Sequence, residues 1–530
     1  MKPGRGWIAA LATVAAVGLG ADEARATTFC VPSFTAACPN ANGNVAVADL
    51  EEAMSLEGFD DEADEVIVAG GTYVEDNDYE PPAGATGTFQ VTGADPLTIS
   101  GAGVGVTHLT SAGTGNIFLL NLGHNGNVRD VLLRDLDLQV PVSFDDNAGA
   151  ALQLFHGDTA ERIAVESLNN GSAGVVAVDP GNAIRSSELF GQLGGLISTA
   201  LSTGSEEASL LAEDVQVYGA SSALAANGIA STVTARRIQA FGTRTYGATA
   251  SAGTVRIENS LLNMEDGVGL FVSPAADDAA IEADHVTAFN SEGTVPALET
   301  KKFSMTTGEG SIELTNSIMR GFGSGYKIER PIGSGALSIQ ARYSNLPQTG
   351  TNENGQVDFA TGNIDADPLW NGAYQLPPDS PSVDAGDPAA GGLPSDFLGA
   401  PRPNDGDGDG SAVRDQGMFE YQRPASPATG GGAGGAGGSG AGKDGSAPQT
   451  TIAKGPGAKL AQGKAKFSFR SSEAGSTFTC KLDKRKPRPC RSPKLYTGVK
   501  PGRHTFKVWA TDKAGNKDPT PAKKRFRVPA

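Results

Sequence analysis

The segment Leu133-Arg134-Asp135-Leu136-Asp137-Leu138 sets apolar residues around a polar turn, and its pattern returns down the chain. Copies follow at Ala212-Glu213-Asp214-Val215-Gln216-Val217, Ala235-Arg236-Arg237-Ile238-Gln239-Ala240 and Ile257-Glu258-Asn259-Ser260-Leu261-Leu262. Further ones are Ala283-Asp284-His285-Val286-Thr287-Ala288, Leu314-Thr315-Asn316-Ser317-Ile318-Met319 and the shorter Val165-Glu166-Ser167-Leu168. Pivots at 135, 167, 187, 214, 237, 259, 285, 316 and 343 recur with a mean interval of 26 residues. A unit that short cannot bury its apolar face alone, so a period in the range of about 20–50 residues marks a stacked architecture.

The copies alternate with a period of two, carry β-branched residues and Gly/Asn/Ser/Asp turns, and show no helical stripe. A sandwich array would need hairpin turns between complementary strands, whereas here one phrase repeats in one sense. The physics therefore favours a parallel β-helix, with coils stacked about 4.8 Å apart along a rod of about ten turns. Open ends of such a rod expose strand edges. Val47, Leu50, Ala53 and Met54, on one side of a short amphipathic helix within Val45 to Gly58, are expected to cap one end.

The chain has 530 residues with 71 Gly, 31 Pro and no Gly-X-Y period, which excludes collagen. Lys2 and Arg5, the apolar run Trp7 to Ala21, and Ala24-Arg25-Ala26 read as an export signal over residues 1–26. Beyond it no apolar run approaches the ~20 residues a membrane span requires. The four cysteines fall in two close pairs, Cys30/Cys38 and Cys480/Cys490, and two disulfides in an oxidising compartment are expected.

Charge divides the chain. Residues 451–530 hold 21 basic and 4 acidic side chains, a net of +17; subtraction from 42 and 60 leaves 21 against 56, or −35, in residues 1–450. Between these parts, residues 424–449 carry ten glycines among Ala, Ser and Pro and read as a flexible tether. The divisions are thus a leader at 1–26, a repeat body at 27–423, the linker at 424–449 and a basic module at 450–530.

The phrases Val66-x-Val68-x-x-Gly71-x-Tyr73 and Ile99-Ser100-Gly101-Ala102-Gly103 resemble right-handed parallel β-helix proteins of the pectin-lyase-like fold. Asp365-Ala366-Asp367-Pro368-Leu369-Trp370, Ser380-Pro381-Ser382-Val383-Asp384-Ala385-Gly386 and Gly417-Met418-Phe419-Glu420-Tyr421 are similar to the closing segment of secreted bacterial members. Phe467-Ser468-Phe469 and the run from His504 to Asn516 resemble a bacterial immunoglobulin-like domain. About 80 residues with frequent turns suit a small β-sandwich on physical grounds as well. The resemblance implies an all-β chain: right-handed parallel β-helix, Gly-rich linker, Ig-like module.

That β-helix fold hosts polysaccharide lyases, hydrolases and adhesins, so chemistry must be sought in residues. The sequence lacks the Asn-Thr-Asp, Gly-His-Gly and Arg-Ile-Lys phrases of polygalacturonases and the Trp-x-Asp-His phrase of pectate lyases. Asp214, Arg237 and His285 stand at equivalent pivots on nearby coils and are the catalytic candidates, weighed against a polar ladder of turn residues. Asp405, Asp407 and Asp409, alternating with glycine, suit a hard cation such as Ca²⁺, with Asp415 as a further ligand. Lys484, Arg485, Lys486, Arg488, Lys523, Lys524 and Arg525 are expected to draw a polyanion.

These readings lead to an exported, cell-surface-associated monomer without a nucleic-acid role. Its body would contact a polysaccharide and its basic module would hold an anionic envelope polymer. The alternative is a polysaccharide lyase or glycoside hydrolase acting on one β-helix face.

Overall fold

The computed structural model describes residues 26–50, 52–53, 63–75, 87–90, 96–111, 118–121, 131–140, 150–155, 157–167, 173–190, 194–198, 208–303, 307–330, 334–371, 374–389 and 393–423. In the basic module it describes 448, 450–454, 465–471, 476–490, 492, 494–496, 499–500, 502–511 and 516–528. Residues 1–25 of the 1–26 leader reading, and 424–447 and 449 of the linker, lie outside these.

Three long parallel sheets of 14, 10 and 11 strands build the body. Neighbours within a sheet stand three apart in chain order over most of their length, as one strand per sheet per coil requires. The first sheet takes Asp64–Val68, Leu97–Ser100 and Val131–Arg134 in register and continues to Gln356–Thr361. The repeated phrase spans the junction at which a first-sheet strand turns into a second-sheet strand, as Val131–Arg134 turns into Asp137–Val140.

Register stacks like on like. Val66, Ile99, Leu133, Ala160, Ile184, Ala212, Ala235, Ile257, Ala283, Leu314 and Ala341 are successive Cα partners. None is more than 2% exposed. Each methyl or branched side chain meets the same row one coil away, so a single aliphatic core runs the length of the rod. A slip of one residue would turn that row to solvent. Outside it, the row Arg134, Glu161, Arg185, Glu213, Arg236, Glu258 alternates in sign along the axis. Like charges opposite one another destabilise a sheet, so this alternation favours the observed stacking.

At the first coil, Thr28–Val31 pairs parallel with Asp64–Val68 and with Val45–Ala46, and Cys30 and Cys38 form a disulfide. Val47, Leu50 and Ala53 of the expected cap are buried, and the Glu52 N–H donates to Asp49 Oδ1 at 2.8 Å; Met54 lies outside the described residues. Two copies of the phrase were centred off the turn: the pivots near 167 and 187 are Arg162 and Ser186, and Ala164–Ser167 is the second-sheet strand beyond it.

The basic module forms antiparallel sheets of three and four strands around Phe467, Phe469, Leu482, Phe506 and Val508. Cys480 and Cys490 are bonded, tying Thr477–Leu482 to Arg488–Cys490, as an Ig-like sandwich accommodates. Among the described residues no helix is long and apolar enough to cross a membrane.

Candidate functional site

The pivots share one backbone state. Asp135, Arg162, Ser186, Asp214, Arg237, Asn259, His285, Asn316 and Tyr343 all have φ between 47 and 60°. Left-handed backbone is uncommon for residues other than glycine, so surrounding contacts must hold each one. Serine supplies part of that hold. Ser187, Ser260, Ser317 and Ser344, each directly after a pivot, donate to the carbonyl two residues back. The same hydroxyls accept the N–H of Ile163, Ile238, Val286 and Ser317 on the coil before.

Asp214 and Arg237 meet as a bidentate pair on adjacent coils, Nε–Oδ1 at 2.8 Å and Nη2–Oδ2 at 2.9 Å. Asp135 and Arg162 repeat the arrangement at 2.8 Å on both arms. The structure does not bring His285 to that pair. Its side chain is 2% exposed, with Nδ1 at 3.0 Å from Asp284 Oδ1. Burial pushes the imidazole below its ordinary pKa, and the Arg402 and Arg414 charges push the same way against Asp284.

What differs along the ladder is its cover. From residue 376 the closing segment lies along the pivots as far back as Asn259. Asn259 donates to Ser395 O at 2.8 Å, and Asn316 Oδ1 accepts the Asp387 N–H. The Gly417 N–H reaches Asn316 O and the Met418 N–H reaches Thr287 Oγ1. Under this cover Arg402 is fully buried, donating to Glu420 at 3.0 Å, Asn259 Oδ1 at 2.8 Å and Gly417 O at 3.0 Å. Beside it Asp415 accepts the Asp384 and Tyr421 N–H groups. Burial, reinforced by the Glu420 charge, pushes the Asp415 carboxyl up to about 8.

The acidic loop is therefore built differently from its sequence. Asp405 and Asp407 converge with Asp384, each offering an oxygen within 4.8 Å of the others. Asp384 lies in the closing phrase, apart in sequence from the loop it joins. Asp409 does not join the group; its Oδ1 accepts the Ser411 N–H. Asp415 faces the buried cluster with Glu420. Loop amides already hold the three: Asp407 N–H to Asp384 Oδ2, Gly408 and Gly410 N–H to Asp405, and Asp409 N–H to Asp407 Oδ1. The set is all hard oxygen, which fits Ca²⁺.

In the basic module, strand alternation sends Phe506 and Val508 inward and Thr505, Lys507 and Trp509 outward. Lys481, Lys507 and Lys523 are Cα partners across three strands, a row of like charge on the outer face. Lys484, Arg485, Lys507, Lys523 and Arg525 line one open hollow of about 830 Å³ with Thr505 and Asp483. Asp483 is taken up locally, at 2.7 Å from both His504 Nδ1 and the Thr505 N–H. Of the residues expected from sequence, Lys484, Arg485, Lys523 and Arg525 come together. Lys524 pairs with Phe506, on the other face of the sheet; Lys486 and Arg488 are exposed outside the hollow. Lys481 and Lys507 were missed, although their alternation with core residues is a legible signal.

The outer face of the second sheet holds a further polar contact. His108 Nδ1 lies 2.9 Å from Asp137 Oδ2 on the next rung, with the carboxylate 3% and the imidazole 26% exposed. The Gly105 N–H also donates to Asp137 at 2.9 Å. Comparison with protein-family models and with curated proteins finds no match to this chain.

Proposed function

We propose that this is an exported, cell-surface-associated β-helix protein whose body contacts a glycan and whose Ig-like module binds an anionic envelope polymer. The observation that carries the reading is the row of lysines and the five basic side chains gathered in one hollow. Neutral stability does not call for that arrangement, since like charges opposite one another on a sheet cost free energy. A ligand bearing several negative charges offsets the repulsion. The −35 of residues 1–450 would repel the same polymer, which leaves the module as its site. Two disulfides suit an oxidising exterior. Ca²⁺ at Asp384, Asp405 and Asp407 belongs to the proposal as a structural ion.

The test is retention of the whole protein on immobilised polyglycerol phosphate and on polygalacturonate as salt is raised. Binding that weakens steeply with salt, and that collapses for the double charge reversal Lys507→Glu/Lys523→Glu, supports the anchor. Equal retention of the reversed variant discards it.

One observation favours a second reading, a polysaccharide lyase or glycoside hydrolase acting on the second-sheet face. A partly exposed imidazole set beside a buried carboxylate is the pairing a general base uses. Turnover on a panel of neutral and acidic polysaccharides, lost in His108→Gln, would replace the binding reading with this one.

A further inference from the structure

Trp370 is the one tryptophan in residues 27–423 of a chain with only 6% aromatic residues. It is nevertheless only half-buried. The stretch Asp365 to Trp370 passes the last rungs of the second sheet, where Phe289 and Arg320 are neighbouring Cα partners on the outer face. Phe289, Arg320, Asp365, Asp367, Pro368 and Trp370 line a hollow of about 310 Å³. The Phe289 and Trp370 rings stand at 76° with centroids 6.1 Å apart, so they form two walls of a corner.

The polar side of the hollow is fixed in advance. Arg320 donates through Nη1 to Asp365 Oδ1 at 2.6 Å and through Nη2 to Asn345 Oδ1 and Ala366 O. Its side chain is 15% exposed against 50% for Asp365. Asp367 is exposed and turned by the Leu369 N–H, which donates to its Oδ1 at 2.9 Å.

We infer that this corner binds one neutral pyranose ring of a glycan, which rests on and deepens the glycan reading of the body. A sugar offers an apolar C–H face and a rim of vicinal hydroxyls. Aromatic walls take the face, and rigid carboxylate and guanidinium groups take the rim as acceptors and donors. The volume falls at the low end of the roughly 300–1,000 Å³ typical of small-ligand sites, room for one ring rather than a chain. Two carboxylates beside a single, already paired guanidinium disfavour an acidic sugar. The body and the module would thus hold different polymers, one neutral and one anionic.

The experiment is a fluorescence titration of the whole protein with methyl glucoside, N-acetylglucosamine, galacturonate and choline, at low and high salt. The expected result is a saturable change with a neutral sugar, at millimolar concentration and indifferent to salt. Galacturonate should bind at least about tenfold more weakly, as one added like-charge contact of about 1.4 kcal/mol implies. Trp370→Ala should abolish the change, and the surface variant Asp367→Ala, which leaves the core untouched, should weaken it severalfold.

No saturable response to either neutral sugar overturns the inference, as does a response surviving in Trp370→Ala or one driven by choline. Retention on a neutral polysaccharide that Trp370→Ala leaves unchanged would overturn this corner alone and keep the body's glycan reading. Polyanion retention by the module is scored separately.

Discussion

Arg402 Nη1 donates to Asn259 Oδ1 at 2.8 Å, joining positions 143 residues apart in the chain. The guanidinium and its partner Glu420 are both wholly buried. A buried ion pair is weak evidence of net stabilisation, but breaking one half of it strands a charge. Arg402→Met should cost about 3–5 kcal/mol in denaturant unfolding. Arg402→Met combined with Glu420→Leu should recover much of that loss. Equal losses for single and double variants would show that the cost lies in packing and in the Asn404 and Asp415 amides that Glu420 accepts, and not in a stranded charge.

The same cluster sets a pH dependence. Asp415, facing Glu420, Arg402 and Asp384, has a folded pKa near 8 against an ordinary carboxyl value near 4. Between those values the folded state holds the extra proton, so this group's contribution is full below about pH 4 and is lost as pH rises through 8. His285 is depressed and acts oppositely, losing its contribution as pH falls through and below its ordinary value near 6.5. Above neutrality Asp415 is therefore the one of these two still changing. Melting temperature measured in chelator should fall from pH 7 to 9, and Asp415→Asn should flatten that slope. An unchanged slope in the variant refutes the assignment.

Much of this architecture was legible because register repeats a decision at every coil. Once Leu133 was placed inward, the rows at Ala212, Ala235, Ile257 and Leu314 followed, and so did the turns at Asp214 and Asn316. The phrase at Val165 misled because Ala164–Ser167 alternates like a first-sheet strand while belonging to the second. The site was less legible for a different reason. Asn259 and Asn316 look like ordinary turn residues; only the folded-back closing segment makes them its docking points. Likewise Asp384 meets Asp405 through a chain reversal that no local spacing encodes.

The pairing of Asp214 with Arg237 separates a ladder role from a catalytic one. Both side chains are substantially exposed, at 50% and 33%. An exposed ion pair contributes about 0–1 kcal/mol. Asp214→Asn and Arg237→Gln should each lower stability by no more than about 1 kcal/mol, with glycan and polyanion retention unchanged. A large loss of turnover or binding with stability intact would move these two residues out of the ladder and into the functional machinery.

Calcium gives a prediction whose sign reverses. Without an ion, Asp384, Asp405 and Asp407 crowd three carboxylates together; burial holds Asp384 above its usual range, and the Asp407 charge pushes the same way against the loop amides that donate to it. Removing one charge then relieves repulsion, so Asp407→Asn should melt slightly higher than wild type in chelator. With a cation bound, that carboxylate becomes a ligand. Extracellular calcium sites bind at about 0.1–1 mM. At 10 mM Ca²⁺ such a site stabilises the folded state by about 1.4–2.7 kcal/mol, since only the folded chain assembles it. Wild type should therefore gain several degrees on adding Ca²⁺, Asp407→Asn should gain little, and the order of the two melting temperatures should invert. If the order stays the same with and without Ca²⁺, and Mg²⁺ has the same effect as Ca²⁺, the loop is an acidic turn held by its own amides.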